Sequence, residues 1–213
     1  MSIKAVVFDL GGVLEMTEDD TWPEVWIRSW EDRLGLTAGA FLEGLARHEP
    51  VGNAATGELS EPRMREIYAD VLGLDEQQAD ELMAEMWDAY CGELDRDLYD
   101  FFASLGADYK LAIVSNSADG ARREEGRRFG FPDLVDELVY SHEVGLAKPD
   151  PAIYALTTER LGVQPDEVVF LDDRLDNVEA ANAFGWLGVV HTDTASSIDA
   201  IKQILADRTR PGR

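Results

Sequence analysis

Residues 4–14 read KAVVFDLGGVL. An unbroken apolar run with no polar alternation predicts a short strand buried on both faces, as in the middle of a parallel sheet. The run ends on Asp9, and Gly11 and Gly12 follow at once. Glycine tolerates tight turns and lets a backbone come close to a ligand, so the strand is expected to empty into a sharp turn with Asp9 at its mouth. A lone lysine, a run interrupted by an acid and no small-residue cleavage site argue against a secretory signal.

The same pattern returns after residue 95. LAIVSNS (111–117) reads as strand then turn, ELVYSHEVG (137–145) contains a strand, EVVFLDD (167–173) is a clearly buried strand, and LGVVHT (187–192) is another. Between them, ADGARREEGRRFG reads as helix, and Asp150-Pro151 opens one that runs to about Leu161. Asn177 to Phe184 and Ser196 to about Asp207 read as two more. Short apolar strands alternating with helices predict an α/β fold, a doubly wound, Rossmann-like parallel sheet. The tail after Asp207, RTRPGR, is expected to be disordered.

Helical periodicity dominates from about residue 18 to 92. Trp22, Trp26 and Trp30 recur at i, i+4 and i+8; Phe41, Leu42 and Leu45 mark a second helix. Met64, Ile67, Tyr68 and Val71 mark a third, and Leu82, Met86, Trp87 and Tyr90 a fourth. Ser60 before Glu61-Pro62 is a helix start, and Thr37 and Asp75 are candidate caps. The chain therefore divides into an α/β core, residues 1–15 and 93–213, and an inserted helical bundle, residues 16–92, that would lie over the strand ends as a cap.

With 213 residues, 45% hydrophobic and 29% charged, the chain has material for one sizeable core and a small accessory unit. Its 19 basic and 43 acidic residues leave a net charge of -24, a field that repels nucleic acid and anionic membranes. No apolar stretch approaches the length needed to span a bilayer. The same field repels phosphorylated ligands unless a divalent metal or placed lysines supply local positive charge. Cys91 is the one cysteine, so no intramolecular disulfide forms and nothing indicates an oxidising compartment; a cytoplasmic monomer or homodimer is expected.

In doubly wound sheets, ligands bind outside the carboxyl ends of the strands. Asp9-Leu-Gly-Gly, Ser115-Asn116-Ser117, Asp172-Asp173 and the Gly145-to-Asp150 segment carrying Lys148 should converge there. In order, VVFDLGGVL, AIVSNS, GLAKPDPAIY and VVFLDDRLDNVEAANAFG resemble the four motifs of the haloacid dehalogenase-like superfamily. The resemblance covers nearly the whole chain. Gly57-Glu-Leu-Ser60 is similar to a turn in the helical caps of that superfamily. The Asp172-Asp173…Asn177 pattern most resembles the branch of sugar-phosphate phosphatases and the N-terminal phosphatase domain of soluble epoxide hydrolases. It implies a Mg²⁺-dependent phosphatase that hydrolyses a small phosphorylated metabolite through an aspartyl-phosphate.

The residue chemistry agrees. A carboxylate such as Asp9 can serve as a nucleophile and split one hard hydrolysis into two easier steps, with Gly11 and Gly12 letting the backbone approach the phosphate. Asp172 and Asp173 suit a hard cation that wants oxygen ligands. The resemblance implies that Asp9, Asp173 and the Gly11 carbonyl ligate Mg²⁺ directly, and Asp172 directly or through water. Ser115 and the Asn116 amide can bind phosphoryl oxygens, Lys148 can neutralise their charge, and Asn177 would orient the metal-binding loop.

One position departs from the pattern. Most phosphatases of the superfamily carry a second Asp two residues after the nucleophile, as acid and base for the leaving group; here it is Gly11. Two other readings follow: a dehalogenase-type hydrolase, against which the acidic pair argues, and a catalytically weak phosphate-binding homologue. Arg122, Arg123, Arg127 and Arg128 beside Glu124 and Glu125 read as a solvated helix face with local ion pairs. The tryptophan stripe reads as bundle core with one ring able to face the site, and His48, His142 and His191 lack metal-ligand spacing.

Overall fold

The computed structural model describes residues 2–16, 21–48 and 52–209. The chain begins with β1 (Ala5–Phe8) and β2 (Glu15–Met16), then four helices, α1 (Trp22–Leu34), α2 (Ala40–Arg47), α3 (Glu61–Leu72) and α4 (Glu76–Cys91). It continues through β3 (Glu93–Leu94), α5 (Arg96–Leu105), β4 (Lys110–Ser115), α6 (Ala121–Phe129), α7 (Phe131–Leu134), β5 (Glu137–Tyr140) and α8 (Ser141–Val144). It closes with α9 (Pro151–Leu161), β6 (Val168–Asp172), α10 (Leu175–Phe184), β7 (Leu187–Val190) and α11 (Thr194–Thr209).

Five parallel strands form one sheet in the order β5-β4-β1-β6-β7, with β1 at the centre. Side chains alternate faces along a strand. Val6 and Phe8 accordingly join a core with Leu98 and Phe102 of α5 and Ile201 and Leu205 of α11. Ala5 and Val7 join the opposite core with Ile153 and Tyr154 of α9, Ala181 of α10 and Trp186. Both faces of β1 are covered, which is why its sequence shows no polar alternation. Phe8 stacks on Phe102 with ring centroids 4.1 Å apart.

The inserted helices build their own aromatic centre. Phe41 meets Tyr68 and Trp26 edge to face, with ring centroids 5.0 and 6.2 Å away. Asp75 starts α4 with a reciprocal capping box to Gln78. Thr37 does not cap α2. That helix follows Gly39, and the amides of Gly39 and Phe41 donate instead to the buried Glu31 carboxylate, each at 3.0 Å. Leu42, assigned above to the apolar face, is exposed, because α2 is eight residues long and only Phe41 on it is buried. α5 was not foreseen; Asp95 caps it, accepting from the Leu98 amide at 2.9 Å. α11 runs past Asp207 to Thr209, and the rest of the expected tail, residues 210–213, lies outside the described residues.

The insertion leaves and rejoins the core through an antiparallel ribbon, Glu15 opposite Leu94 and Met16 opposite Glu93. The sequence places hinges near residues 15–17 and 92–95, where the insertion leaves and rejoins the core; of these, Thr17 lies outside the described residues. On α6 the side chains of Arg122, Arg123 and Arg127 are exposed, as the solvated-face reading expects, but the pairing reaches beyond the helix, and Glu125 is fully buried. Arg123 makes two 2.8 Å hydrogen bonds to Glu61 of α3, Arg128 reaches Asp88 of α4 at 2.6 Å, and Arg122 pairs with Glu143. Local pairing remains in the contacts of Arg123, Arg127 and Arg128 with Glu124. Glu61 also accepts from the Trp87 indole at 2.6 Å, so it ties two inserted helices to the core. Gly57 sits so close to the core that a Cβ there would lie 2.2 Å from the His142 carbonyl oxygen.

Candidate active site

Register places the first acid. Phe8 pairs with Ile113 of β4 and Leu171 of β6, so Asp9 emerges between the ends of both strands, its amide donating to the Leu171 carbonyl at 2.9 Å. Ser115 and Asp172 are the last residues of β4 and β6. Lys148 arrives on the loop between α8 and α9. That loop is fastened to β4 by a reciprocal pair of 2.8 Å bonds: the Lys148 amide donates to Asn116 Oδ1, and Asn116 Nδ2 donates to the Lys148 carbonyl.

A cavity of about 670 Å³ opens at these strand ends, with Asp9, Gly11, Gly12, Ser115, Asn116, Lys148, Asp173 and Asn177 in its wall. Asp172 lies beneath, fully buried. Its carboxylate accepts from Lys148 Nζ at 2.7 Å, from Asn177 Nδ2 at 3.0 and 3.1 Å, and from the Arg174 amide at 2.9 Å. Tyr154 in turn donates to the Asn177 carbonyl at 2.9 Å. Asp173, one residue on, is the member of the acidic pair that meets the cavity.

Lys148 Nζ also lies 2.7 Å from Asp9 Oδ1, so one ammonium bridges two carboxylates. Burial pushes the Asp9 carboxyl up to about 7, with Lys148 opposing the rise and Asp172 adding to it. Burial works against the Lys148 charge, but Asp9 and Asp172 outweigh it and hold the amine protonated. Oxygens of Asp9, Asp172 and Asp173 lie within 4.8 Å of one another. One lysine cannot balance three converging carboxylates, and an all-oxygen set of this kind fits a hard divalent cation such as Mg²⁺. Gly12 completes the floor at φ +75°, where a Cβ would stand 2.6 Å from Asp173 Oδ2.

Other cavity residues were not singled out from the sequence: Glu15, Tyr90, Arg174, Asp176 and Glu179. Trp22 supplies the ring that faces the site, while Trp26 and Trp30 are buried in the bundle. Glu15 is almost fully buried, and its pKa is well above the usual carboxylate range through burial, then Glu125 and Asp9, with Arg128 opposing. Its place one residue after VVFDLGGVL was the available signal. For Arg174 and Asp176 the signal was their position beside the acidic pair.

A family model described as haloacid dehalogenase-like hydrolase matches residues 3–185. The chain is 38% identical over 86 residues to the phosphorylated carbohydrates phosphatase of Thermotoga maritima, a match that covers 39% of this chain and 40% of that protein. It is 27% identical over 191 residues to the D-ribitol-5-phosphate phosphatase of Bacteroides thetaiotaomicron, covering 86% of this chain and 89% of that one. Among solved structures, an enzyme of the same family from Bacteroides thetaiotaomicron, in complex with magnesium and inorganic phosphate, superposes with a TM-score of 0.70 at 22% identity. That superposition covers 90% of this chain and 95% of the other.

Proposed function

The chain belongs to the haloacid dehalogenase-like hydrolases, and on that premise we propose that it is a Mg²⁺-dependent phosphatase of small phosphorylated metabolites, with Asp9 as nucleophile. The observation that carries this reading is the convergence of the Asp9, Asp172 and Asp173 oxygens within 4.8 Å, with Lys148 bridging two of these residues. A dehalogenase displacing halide from carbon has no use for such a set; phosphoryl transfer does, because negative charge spreads over the phosphoryl oxygens.

In the first step an Asp9 oxygen attacks phosphorus, and the bond from phosphorus to the ester oxygen breaks with its electron pair on that oxygen, giving an aspartyl-phosphate and, once water protonates the leaving oxygen, an alcohol. In the second, water attacks the same phosphorus and releases phosphate and free Asp9. The Ser115 hydroxyl, the Asn116 amide and the Lys148 ammonium bind the phosphoryl oxygens, beside the Gly11-Gly12 turn. Asp9, Asp173 and the Gly11 carbonyl would hold Mg²⁺, with Asp172 directly or through water; the bound ion would neutralise phosphoryl charge and favour ionised Asp9. Asn177 fixes the orientation of Asp172. Residues 16–92 act as the cap, which excludes water and chooses the substrate, over a core of residues 1–15 and 93–213. Among the described residues no helix is long and apolar enough to cross a membrane. A second reading, a phosphate-binding homologue with little turnover, rests on Gly11 alone.

The test is phosphate release over a panel of phosphate esters, with Mg²⁺ and with excess chelator. Turnover that needs Mg²⁺ supports the reading. Turnover that survives chelation contradicts it, and Mg²⁺-dependent phosphate binding without turnover favours the second reading.

A further inference from the structure

The cavity that holds the phosphate site also carries three apolar groups in its wall. Trp22 of α1 and Tyr90 of α4, both half-buried, come from the inserted helices; Leu175, the first residue of α10, comes from the core. Tyr90 meets two rings edge to face, with centroids 5.9 Å from Trp22 and 5.1 Å from Trp87. Trp87 is fixed in turn by its 2.6 Å hydrogen bond to Glu61. The Trp22 ring is therefore seated on a chain of rigid contacts rather than left loose at the surface. Leu175 is 58% exposed. One exposed leucine is ordinary on a protein surface; this one stands two residues after Asp173, in the same cavity wall as two aromatic rings.

We infer that Trp22, Tyr90 and Leu175 form a leaving-group subsite for a planar aromatic alcohol, so that the preferred substrate is an aryl phosphate, the monoester of a phenol or of a hydroxylated heterocycle. The inference rests on the phosphatase reading and deepens it. Two independent observations carry it. The first is the wall itself. An aromatic ring packs on indole and phenol rings in stacked or edge-to-face geometry, and such contacts are worth more than the area they bury. The second is Gly11, which has no side chain to protonate the leaving oxygen. When the bond from phosphorus to that oxygen breaks, the electron pair stays on the oxygen. A phenol has a pKa of about 10, so it departs as the phenolate and takes its proton from water afterwards. An aliphatic alkoxide is far more basic and calls for an acid in the transition state.

The polar part of the wall does not favour the aliphatic class over this one. The Arg174 and Asp176 side chains are 65% and 54% exposed, and Glu179 is exposed too. Groups so well solvated exchange water for a substrate hydroxyl at little net gain. Covering Trp22 and Leu175 removes apolar surface from water, which is favourable in proportion to its area.

The experiment compares three esters in Mg²⁺: phenyl phosphate, hexafluoroisopropyl phosphate and a pentitol phosphate. The fluorinated alcohol is about as acidic as phenol but has no ring, so it separates stacking from leaving-group basicity. Wild type should take phenyl phosphate with the highest kcat/KM of the three and with a lower KM than the fluorinated ester. Trp22→Leu should raise KM for phenyl phosphate about 10-fold with little change in kcat, as loss of a ring contact that ground state and transition state share. KM for the fluorinated ester should hold, and Trp22→Phe should recover most of the loss. Leu175→Ser, at an exposed position, should raise KM for phenyl phosphate about 3-fold and gives the same test should Trp22→Leu fail to fold. A pentitol phosphate taken as readily as phenyl phosphate, equal KM for the two acidic esters in wild type, or equal KM shifts on all esters in the variants would overturn the subsite and leave the phosphatase reading standing. Absence of hydrolysis of every ester would overturn both.

Discussion

The Lys148 ammonium stands 2.7 Å from Oδ1 of Asp9, both residues buried, and its second partner is the fully buried Asp172. Removing one partner of a buried pair strands the other charges, at a typical cost of about 3–5 kcal/mol. Lys148→Met should lower the melting temperature and abolish most turnover. Mg²⁺ should recover part of the lost stability, because a divalent cation can stand in for the missing charge among the same oxygens. Melting curves with and without Mg²⁺ check this, and a variant whose melting ignores Mg²⁺ would contradict the assignment of the metal to this cluster.

Gly12 is held by geometry rather than by propensity. Its φ is +75° and a Cβ would lie 2.6 Å from Asp173 Oδ2. Gly12→Ala should therefore displace the Asp173 carboxylate and raise the Mg²⁺ concentration for half-activation. Unchanged metal dependence in this variant would mean that Asp173 does not ligate.

At Gly11 no atom lies within 4 Å of a built Cβ, so a side chain can begin there without a clash and Gly11→Asp is a usable variant. A positioned general acid contributes typically ~10²–10⁴-fold when the leaving group needs a proton. Wild-type rates should fall steeply as the leaving-group pKa rises across a series of phosphate esters, and Gly11→Asp should flatten that dependence. A flat dependence in wild type would show that another group, with Glu15 the nearest in sequence among the cavity carboxyls other than the nucleophile, already delivers the proton.

How much of this was legible depended on whether a residue's role is set by its near neighbours. The central strand, Asp9, the Ser115-Asn116 turn and the acidic pair could be read because each joins an apolar run to a polar strand end, a junction visible within ten residues. α5 was missed although Asp95 caps it, because RDLYDFFASL lies between the insertion and the next strand with no motif of its own. The arginines of α6 looked locally paired because Glu124 is next to them; their longer reach to Glu61 and Asp88 depends on how the insertion docks, which adjacency does not encode. Thr37 lost its capping role to Glu31 for the same reason. Tyr90 enters the cavity by packing and became visible only once the walls were placed.

Buried Glu125 gives the fold a pH dependence. Burial, opposed by the Tyr140 hydroxyl that donates to it and reinforced by Asp9, pushes its carboxyl from 4.5 up to about 8. The folded state then keeps a proton that the unfolded state sheds above about 4.5. Stability is therefore fully present below that value and declines as pH rises toward 8, by up to about 1.4 kcal/mol per pH unit. Glu125→Gln keeps an acceptor for Tyr140 and removes the titration. Its melting temperature should fall less than that of wild type between pH 5.5 and 8, with the raised carboxyls of Asp9 and Glu15 accounting for the residual slope. Parallel declines in the two proteins would contradict this.

The central claim is that a phosphoryl group passes through Asp9, and hydrolysis of p-nitrophenyl phosphate in Mg²⁺ by wild type and Asp9→Asn tests it most directly. Asparagine keeps the shape of the side chain and removes the nucleophilic carboxylate. The account predicts Mg²⁺-dependent turnover in wild type and a loss of roughly 10³-fold or more in the variant, as befits removal of a nucleophile. Near wild-type hydrolysis by a folded Asp9→Asn would contradict it.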